Sequence, residues 1–229
     1  MIYLDAGTTY SKIISDSKID GFNSYFQKRK YPFNKKEYFY YIIPSKDLKV
    51  CNLEFTNVCG HMTGSSNAEN EIVALARGCR NLEDKNATIL DLGSRDAKWI
   101  NILDNKFHDM DWNTSCASST GATVEMLLKF YDIKPDDLSF QDEKYIVTCG
   151  IFGLEKIMDD ISSGIEAKVA VAKFVHGIAY NAWNFAKKPG KIYLSGGFCE
   201  NKCFTQSLAK YCEIELLGRF KLCEGLICE

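Results

Sequence analysis

The 229-residue chain has no Cys-x-x-Cys pair although it carries ten cysteines, which speaks against a zinc ribbon or a thioredoxin-like redox site. It lacks any apolar run long enough to span a bilayer, and its first residues show neither the basic start nor the apolar core of a signal peptide. These absences lead to the expectation of a cytoplasmic protein without a membrane partner. Strong charge of either sign is missing too. The formal net charge is −2, so no basic field invites nucleic acid or anionic lipid. Only three histidines occur, His61, His108 and His176, scattered and with no nucleophile in their sequence neighbourhood, so no Ser-His-Asp arrangement is read.

What is present is a composition with 46% hydrophobic residues, ordinary for a soluble globular protein and enough for one large domain or two smaller lobes. The ten cysteines are too many for a chance reading and too unpatterned for a secreted disulfide scaffold of this size. A reducing compartment tolerates them, and most are expected to be inert. Cys199 and Cys203, four apart, are assigned to packing.

Strands and helices alternate in two blocks. Ile2-Tyr3-Leu4 and Lys12-Ile13-Ile14 flank Asp5-Ala6-Gly7-Thr8-Thr9, the pattern of a tight hairpin. A Lys/Tyr/Phe-rich stretch from Tyr25 to Tyr41 leads into a strand ending near Ile43. Aromatics interleaved with bases can stack on single-stranded nucleic acid, but the near-neutral charge favours strand packing or a partner-docking surface. Periodicity places helices over 67–79, 118–131, 152–161 and 165–186. From Thr88 the first block's grammar returns: Asp91-Leu92-Gly93-Ser94-Arg95-Asp96 repeats the Asp-x-Gly turn, and Ala97-Lys98-Trp99-Ile100 the outgoing strand. A strand at Ile192-Tyr193-Leu194 then runs into Ser195-Gly196-Gly197 and a helix over 202–210. The expected organisation is an α/β protein of two related lobes, residues 1–85, short and diverged, and residues 86–229.

The duplicated hairpin carries chemistry. Glycine at such a turn lets backbone N–H groups approach phosphate oxygens, and an aspartate at the strand end can reach magnesium, a hard cation that prefers oxygen ligands. Two such turns facing each other would clasp a polyphosphate. Cys116 and Cys149 each lie where a strand gives way to a helix, a position that lowers a thiol pKa. Iron–sulfur clusters are usually held by four thiolates. One chain supplies two from this pair, and a symmetric dimer would supply four.

These elements resemble the actin, heat-shock chaperone and sugar kinase superfamily of ATPases: Asp5 to Lys12 its first phosphate motif, Asp91 to Asp96 its second, and Leu194-Ser195-Gly196-Gly197 its adenosine motif. Within that superfamily the chain is similar to the ATP-dependent activators of 2-hydroxyacyl-CoA dehydratases. Those carry Cys-Ala-Ala-Gly-Thr-Gly, Cys-x-x-Phe-Ala-x-x-Glu and Gly-Gly-Val-Ala-x-Asn segments. This chain has Cys116-Ala117-Ser118-Ser119-Thr120-Gly121, Cys149-Gly150-Ile151-Phe152-Gly153-Leu154-Glu155 and Gly196-Gly197-Phe198-Cys199-Glu200-Asn201. Glu71 and Ala76-Arg77-Gly78 fit the helix before the second phosphate motif, so the resemblance runs over most of the chain.

The resemblance implies an actin-like, ribonuclease H-like fold in two lobes with ATP or ADP in the cleft between them. It gives Asp5 and Asp91 the catalytic, magnesium-holding positions. Gly7, Thr8, Thr9, Lys12, Gly93, Ser94, Arg95 and Asp96 fall at phosphate-binding positions, and Gly196, Gly197 and Asn201 complete the nucleotide set. It further implies a homodimer with one 4Fe–4S cluster held by Cys116 and Cys149 of both copies. ATP would drive a low-potential electron from that cluster into a dehydratase or related Fe–S reductase, after reduction by ferredoxin or flavodoxin. The chain departs from the pattern at Ser94 and Arg95, where the family has Gly-Gln. Arg95 either pairs with a phosphate or displaces the residue that positions attacking water, which would slow hydrolysis. Two other readings share the fold: a small-metabolite kinase, for which Asp96 is the one candidate base, and a nucleotide-binding regulator with little turnover.

Overall fold

In the computed structural model the described residues are all but 24, 32, 33, 35, 51, 52, 62–67, 114–119, 148, 149, 228 and 229, with the side chains of 26–28, 49, 50, 150 and 151 also outside the described set. The chain divides into two compact units, residues 1–83 with 219–229, and residues 84–218.

The first unit is built on a five-stranded sheet of β1 (Ile2–Asp5), β2 (Tyr10–Ser15), β3 (Phe26–Lys30), β4 (Glu37–Pro44) and β5 (Asn57–Cys59), in the order β3-β4-β2-β1-β5. β1 and β2 form the expected antiparallel hairpin, β4 extends it antiparallel to β2, and β5 runs parallel to β1. Side chains alternate across a strand. One face packs Leu4, Ile13, Tyr41, Ile43 and Val58 into a core, while the other sets Tyr3, Tyr38, Tyr40 and Phe220 edge-to-face. Tyr31, Tyr38, Tyr40 and Tyr41 are each at most 1% exposed, so these members of the Tyr-rich stretch serve strand packing. Helix α1 (Glu71–Gly78) starts later than its periodicity suggests, because the Asn70 side chain accepts from the N–H groups of Ile72 and Val73 and caps it there.

The end of the chain corrects the expected lobe boundary. Residues 219–229, read with the second lobe, belong to the first unit. There α6 (Lys221–Gly225) lies against β1 and β2: Tyr31 Oη donates to the Glu224 carbonyl at 2.9 Å, Asn57 Nδ2 to the Leu226 carbonyl at 3.0 Å, and Cys223 Sγ to the Tyr3 carbonyl at 3.3 Å. Partners that far apart in sequence leave no local signature.

The second unit contains β6 (Ala87–Leu92), β7 (Ala97–Leu103), β8 (Lys106–Asn113), β9 (Lys191–Gly196) and β10 (Glu213–Gly218), ordered β10-β9-β6-β7-β8. Its helices are α2 (Gly121–Phe130), α3 (Gly150–Ser162), α4 (Ala167–Phe185) and α5 (Lys202–Leu208). In α4 the buried Val171, Phe174, Val175, Ile178 and Ala182 recur at helical spacing and form one wall of the core. Among the described residues no helix is long and apolar enough to cross a membrane.

Both units hold the same four-strand arrangement: a hairpin, a third strand antiparallel to its second member, and a neighbour parallel to its first. In the first unit this is β5-β1-β2-β4, in the second β9-β6-β7-β8. The duplication suspected from two Asp-x-Gly turns therefore extends to the strands around them.

Candidate functional site

In the first unit Asp5 ends β1, is 3% exposed and lies directly across the hairpin from Lys12. The Lys12 ammonium is 3.0 Å from Asp5 Oδ2, an ion pair held mostly out of water. Gly7, Thr8 and Thr9 form the turn. Ser45, which the sequence did not single out, grips the turn at both ends: its Oγ donates to the Gly7 carbonyl at 2.6 Å and its N–H to the Thr9 carbonyl at 2.9 Å. Ser11 Oγ, fully buried, sits 2.9 Å from Ser45 Oγ and fixes it. Among the described residues the N–H groups of Gly7 and Thr8 donate to no protein acceptor, which leaves them available to an anion.

The second unit repeats the device with more charge. Asp91, 3% exposed, is the cross-strand partner of Lys98. Lys98 is itself only 2% exposed, and its Nζ lies 3.1 Å from Asp96 Oδ2 and 3.6 Å from Asp91 Oδ2. Trp112 Nε1 donates to the same Asp96 oxygen at 2.5 Å, and the Lys98 ammonium stands 5.2 Å from the Trp112 ring centroid. Asp91 Oδ1 is buried and accepts no hydrogen bond among the described residues. The turn is closed by Gly93 N–H to the Asp96 carbonyl, 3.0 Å. It is also held from α2: Thr120 Oγ1 and Ala122 N–H donate to the Ser94 carbonyl at 2.6 and 2.8 Å, and Gly121 N–H to the Gly93 carbonyl at 3.3 Å. Arg95 projects from the turn and is exposed.

Each Asp-bearing strand has a glycine beside it on its parallel neighbour. Ser195 is in register with Asp91, and Gly196 follows with φ +95°; a Cβ there would lie 2.2 Å from the Leu92 carbonyl oxygen. Cys59 is in register with Asp5, and Gly60 follows with φ +103°; a Cβ would lie 2.5 Å from the Ala6 carbonyl oxygen. Gly60 is thus the first unit's counterpart of Gly196. Only glycine combines this left-handed backbone with that approach. Gly196→Ala is expected to destabilise the second unit by about 3 kcal/mol or more, from backbone strain plus the carbonyl clash, read as a lower urea midpoint. Gly197 opens a short 3-10 turn and is exposed, and Asn201 spends its side-chain oxygen capping α5, accepting from Phe204 N–H at 2.9 Å.

Cys116 and Cys149 lie outside the described residues. Four of the other cysteines fit the inert role expected of them. Burial raises the thiol pKa of Cys203 and of Cys212 to about 11, and pushes those of Cys59 and Cys223 well above the ordinary value. None of these four is thiolate-forming near neutrality.

No protein-family model matches the chain. Among curated proteins it is 25% identical over 165 residues to the 2-hydroxyisocaproyl-CoA dehydratase activator of Clostridioides difficile, covering 66% of this chain and 62% of that protein. It is 22% identical over 123 residues to the (R)-2-hydroxyglutaryl-CoA dehydratase activating ATPase of Acidaminococcus fermentans, covering 50% of this chain and 47% of that one. Both of these similar proteins are activators of 2-hydroxyacyl-CoA dehydratases. The chain spans less than two thirds of either relative's length. The solved structure of the activator of the 2-hydroxyisocaproyl-CoA dehydratase from Clostridium difficile, with bound ADPNP, superposes with a TM-score of 0.73 at 18% identity, covering 99% of this chain and 92% of that one. That likeness shows the fold, an α/β architecture as expected.

Proposed function

We propose that the chain is an ATP-dependent activator, using nucleotide binding and hydrolysis to send a low-potential electron from a 4Fe–4S cluster to a 2-hydroxyacyl-CoA dehydratase or a related Fe–S reductase. The observation that carries the ATPase half is the duplicated Asp–Lys hairpin. Each unit offers a turn that follows a buried aspartate paired with a lysine; among the described residues Asp91 Oδ1 accepts no hydrogen bond, while Asp5 Oδ2 meets the Lys12 ammonium at 3.0 Å. A buried carboxylate oxygen with no hydrogen-bond donor is costly to keep, and a hydrated magnesium ion with its oxygen-rich shell suits it. Asp5 and Asp91 would hold that ion. Among the described residues no group of three or more His, Cys, Asp or Glu is assembled for a metal, so the ion would arrive with the nucleotide, whose phosphates complete its shell.

The chain's own groups then divide the work. The Gly7 and Thr8 N–H groups and Lys12 meet phosphate oxygens. Ser45 and Thr120, which bond to turn carbonyls, keep the two loops in shape before the nucleotide arrives, and preformed donors cost no reorganisation when charge develops. Gly196 and Gly197 flank the adenosine, with Asn201 shaping their turn.

The electron-transfer half rests on Cys116 and Cys149 and on the activator relatives. When bound, the cluster supplies one low-potential electron; two copies of the chain would hold it with two thiolates each. Thr120, four residues beyond Cys116, bonds to the second turn, so a change at Ser94 on nucleotide binding has a covalently short route to that ligand. Nucleotide gates the partner encounter only if the partner prefers one nucleotide state. Ferredoxin or flavodoxin would reduce the cluster, in the cytoplasm.

Anaerobic purification tests both halves. The expected product is brown, contains about four irons per pair of chains and turns over ATP with magnesium. A colourless protein that phosphorylates a small hydroxyl compound would instead identify a kinase. Nucleotide binding with no turnover would identify a regulator, with Arg95 the first residue to revert.

A further inference from the structure

Lys98 belongs to none of the nucleotide motifs, yet it is among the largest side chains that the second unit buries. An ammonium is kept in the interior only where anions hold it, and among the described residues Asp96 at 3.1 Å and Asp91 at 3.6 Å do so. They do not share it equally. Asp96 Oδ2 takes the closer contact and also the Trp112 indole N–H, and the Trp112 ring lies within cation–π reach of the ammonium. Asp91 keeps the longer contact on one oxygen and, among the described residues, no hydrogen bond on the other. The ammonium is therefore anchored on the Asp96–Trp112 side, close enough to Asp91 to act on whatever binds its open oxygen.

We infer that Lys98 is a resident counter-cation that keeps Asp91 from taking a divalent ion until a polyphosphate comes with it. A fixed positive charge some 3 to 4 Å from the carboxylate repels a second cation at its far oxygen, and burial leaves little water to screen the repulsion. The several negative charges of a nucleotide's phosphates outweigh one ammonium, so a magnesium–nucleotide complex is accepted where the bare ion is not. Lys98 would thus be a positioning residue that makes metal binding conditional on nucleotide. The inference rests on the reading of Asp91 as a cation ligand, and its test uses the metal alone.

Mn²⁺ binding is measured by electron paramagnetic resonance in nucleotide-free protein. Wild type and Lys98→Arg, which keeps the charge, are expected to bind Mn²⁺ weakly. Lys98→Met is expected to bind one Mn²⁺ at least about tenfold more tightly, as removal of a near, poorly screened charge requires, and to gain roughly 5 °C of melting temperature in saturating Mg²⁺. Should Lys98→Met not fold, Lys98→Gln, which keeps a polar group for Asp96 but no charge, is expected to show the same tightening. Mn²⁺ affinity unchanged from wild type in whichever of these variants folds overturns the inference. ADPNP binding to wild type, measured in parallel, separates the two readings. Its absence alongside the Mn²⁺ tightening would remove the ATPase proposal and leave the counter-cation role standing.

Discussion

Asp91→Ala is expected to weaken ADPNP binding in magnesium by about a hundredfold, a loss of about 2.7 kcal/mol, with the fold intact. The magnitude follows from removing a buried carboxylate whose open oxygen would, on the proposed reading, face the ion, an interaction of the strong, charge-assisted class. The fold survives because Lys98 retains Asp96 at 3.1 Å and the Trp112 contact, so no buried ammonium is stranded. Titration calorimetry with and without magnesium reads the loss, and far-ultraviolet circular dichroism with a thermal melt checks the fold. Without magnesium the variant and the wild type should differ little. An unchanged affinity in magnesium would remove the second turn from the site, and the ATPase reading with it.

Cys116→Ala and Cys149→Ala are each expected to lose essentially all reconstituted iron, whereas Cys199→Ala keeps it. A cluster that draws two thiolates from each chain loses two of its four ligands when one cysteine is removed from both copies. Cys199 is a stringent control because it too lies beside a nucleotide motif. Its thiol, however, donates to the Leu194 carbonyl at 3.1 Å, so it already has a structural use. Iron content per chain and the visible spectrum after anaerobic reconstitution decide the matter. Full iron retention in either of the first two variants would refute the shared cluster and leave a nucleotide-binding protein of another purpose.

The hairpins were legible because all that defines them is local. A buried aspartate, a glycine two residues on and a lysine seven residues on occur within one short window, twice: Asp5, Gly7 and Lys12, then Asp91, Gly93 and Lys98. The lysine's shared spacing was available in the sequence and would have singled out Lys98. So was β10, where Glu213-Ile214-Glu215-Leu216 alternates polar and apolar residues. Ser45 and Gly60 were beyond reach. Ser45 meets Ser11 across 34 residues, and Gly60 acquires its meaning only from the register of β5 on Asp5. Helix α6 is five residues long, too short for a periodicity. Its place in the first unit depends on tyrosines and an asparagine nearly the whole chain away.

That return of the chain has a consequence for the order in which the protein is made. The second unit runs without interruption from residue 84 to residue 218, so a ribosome delivers all of it before the first residue of the returning segment appears. The first unit is begun earlier but closes last, when Phe220 reaches Tyr40 and Glu224 reaches Tyr31. Contacts of such long separation form slowly. Until they do, the face of β1 and β4 that bears Tyr3, Tyr38 and Tyr40 is without its helix, an open aromatic sheet surface of the kind that chaperones hold and that aggregates when they do not.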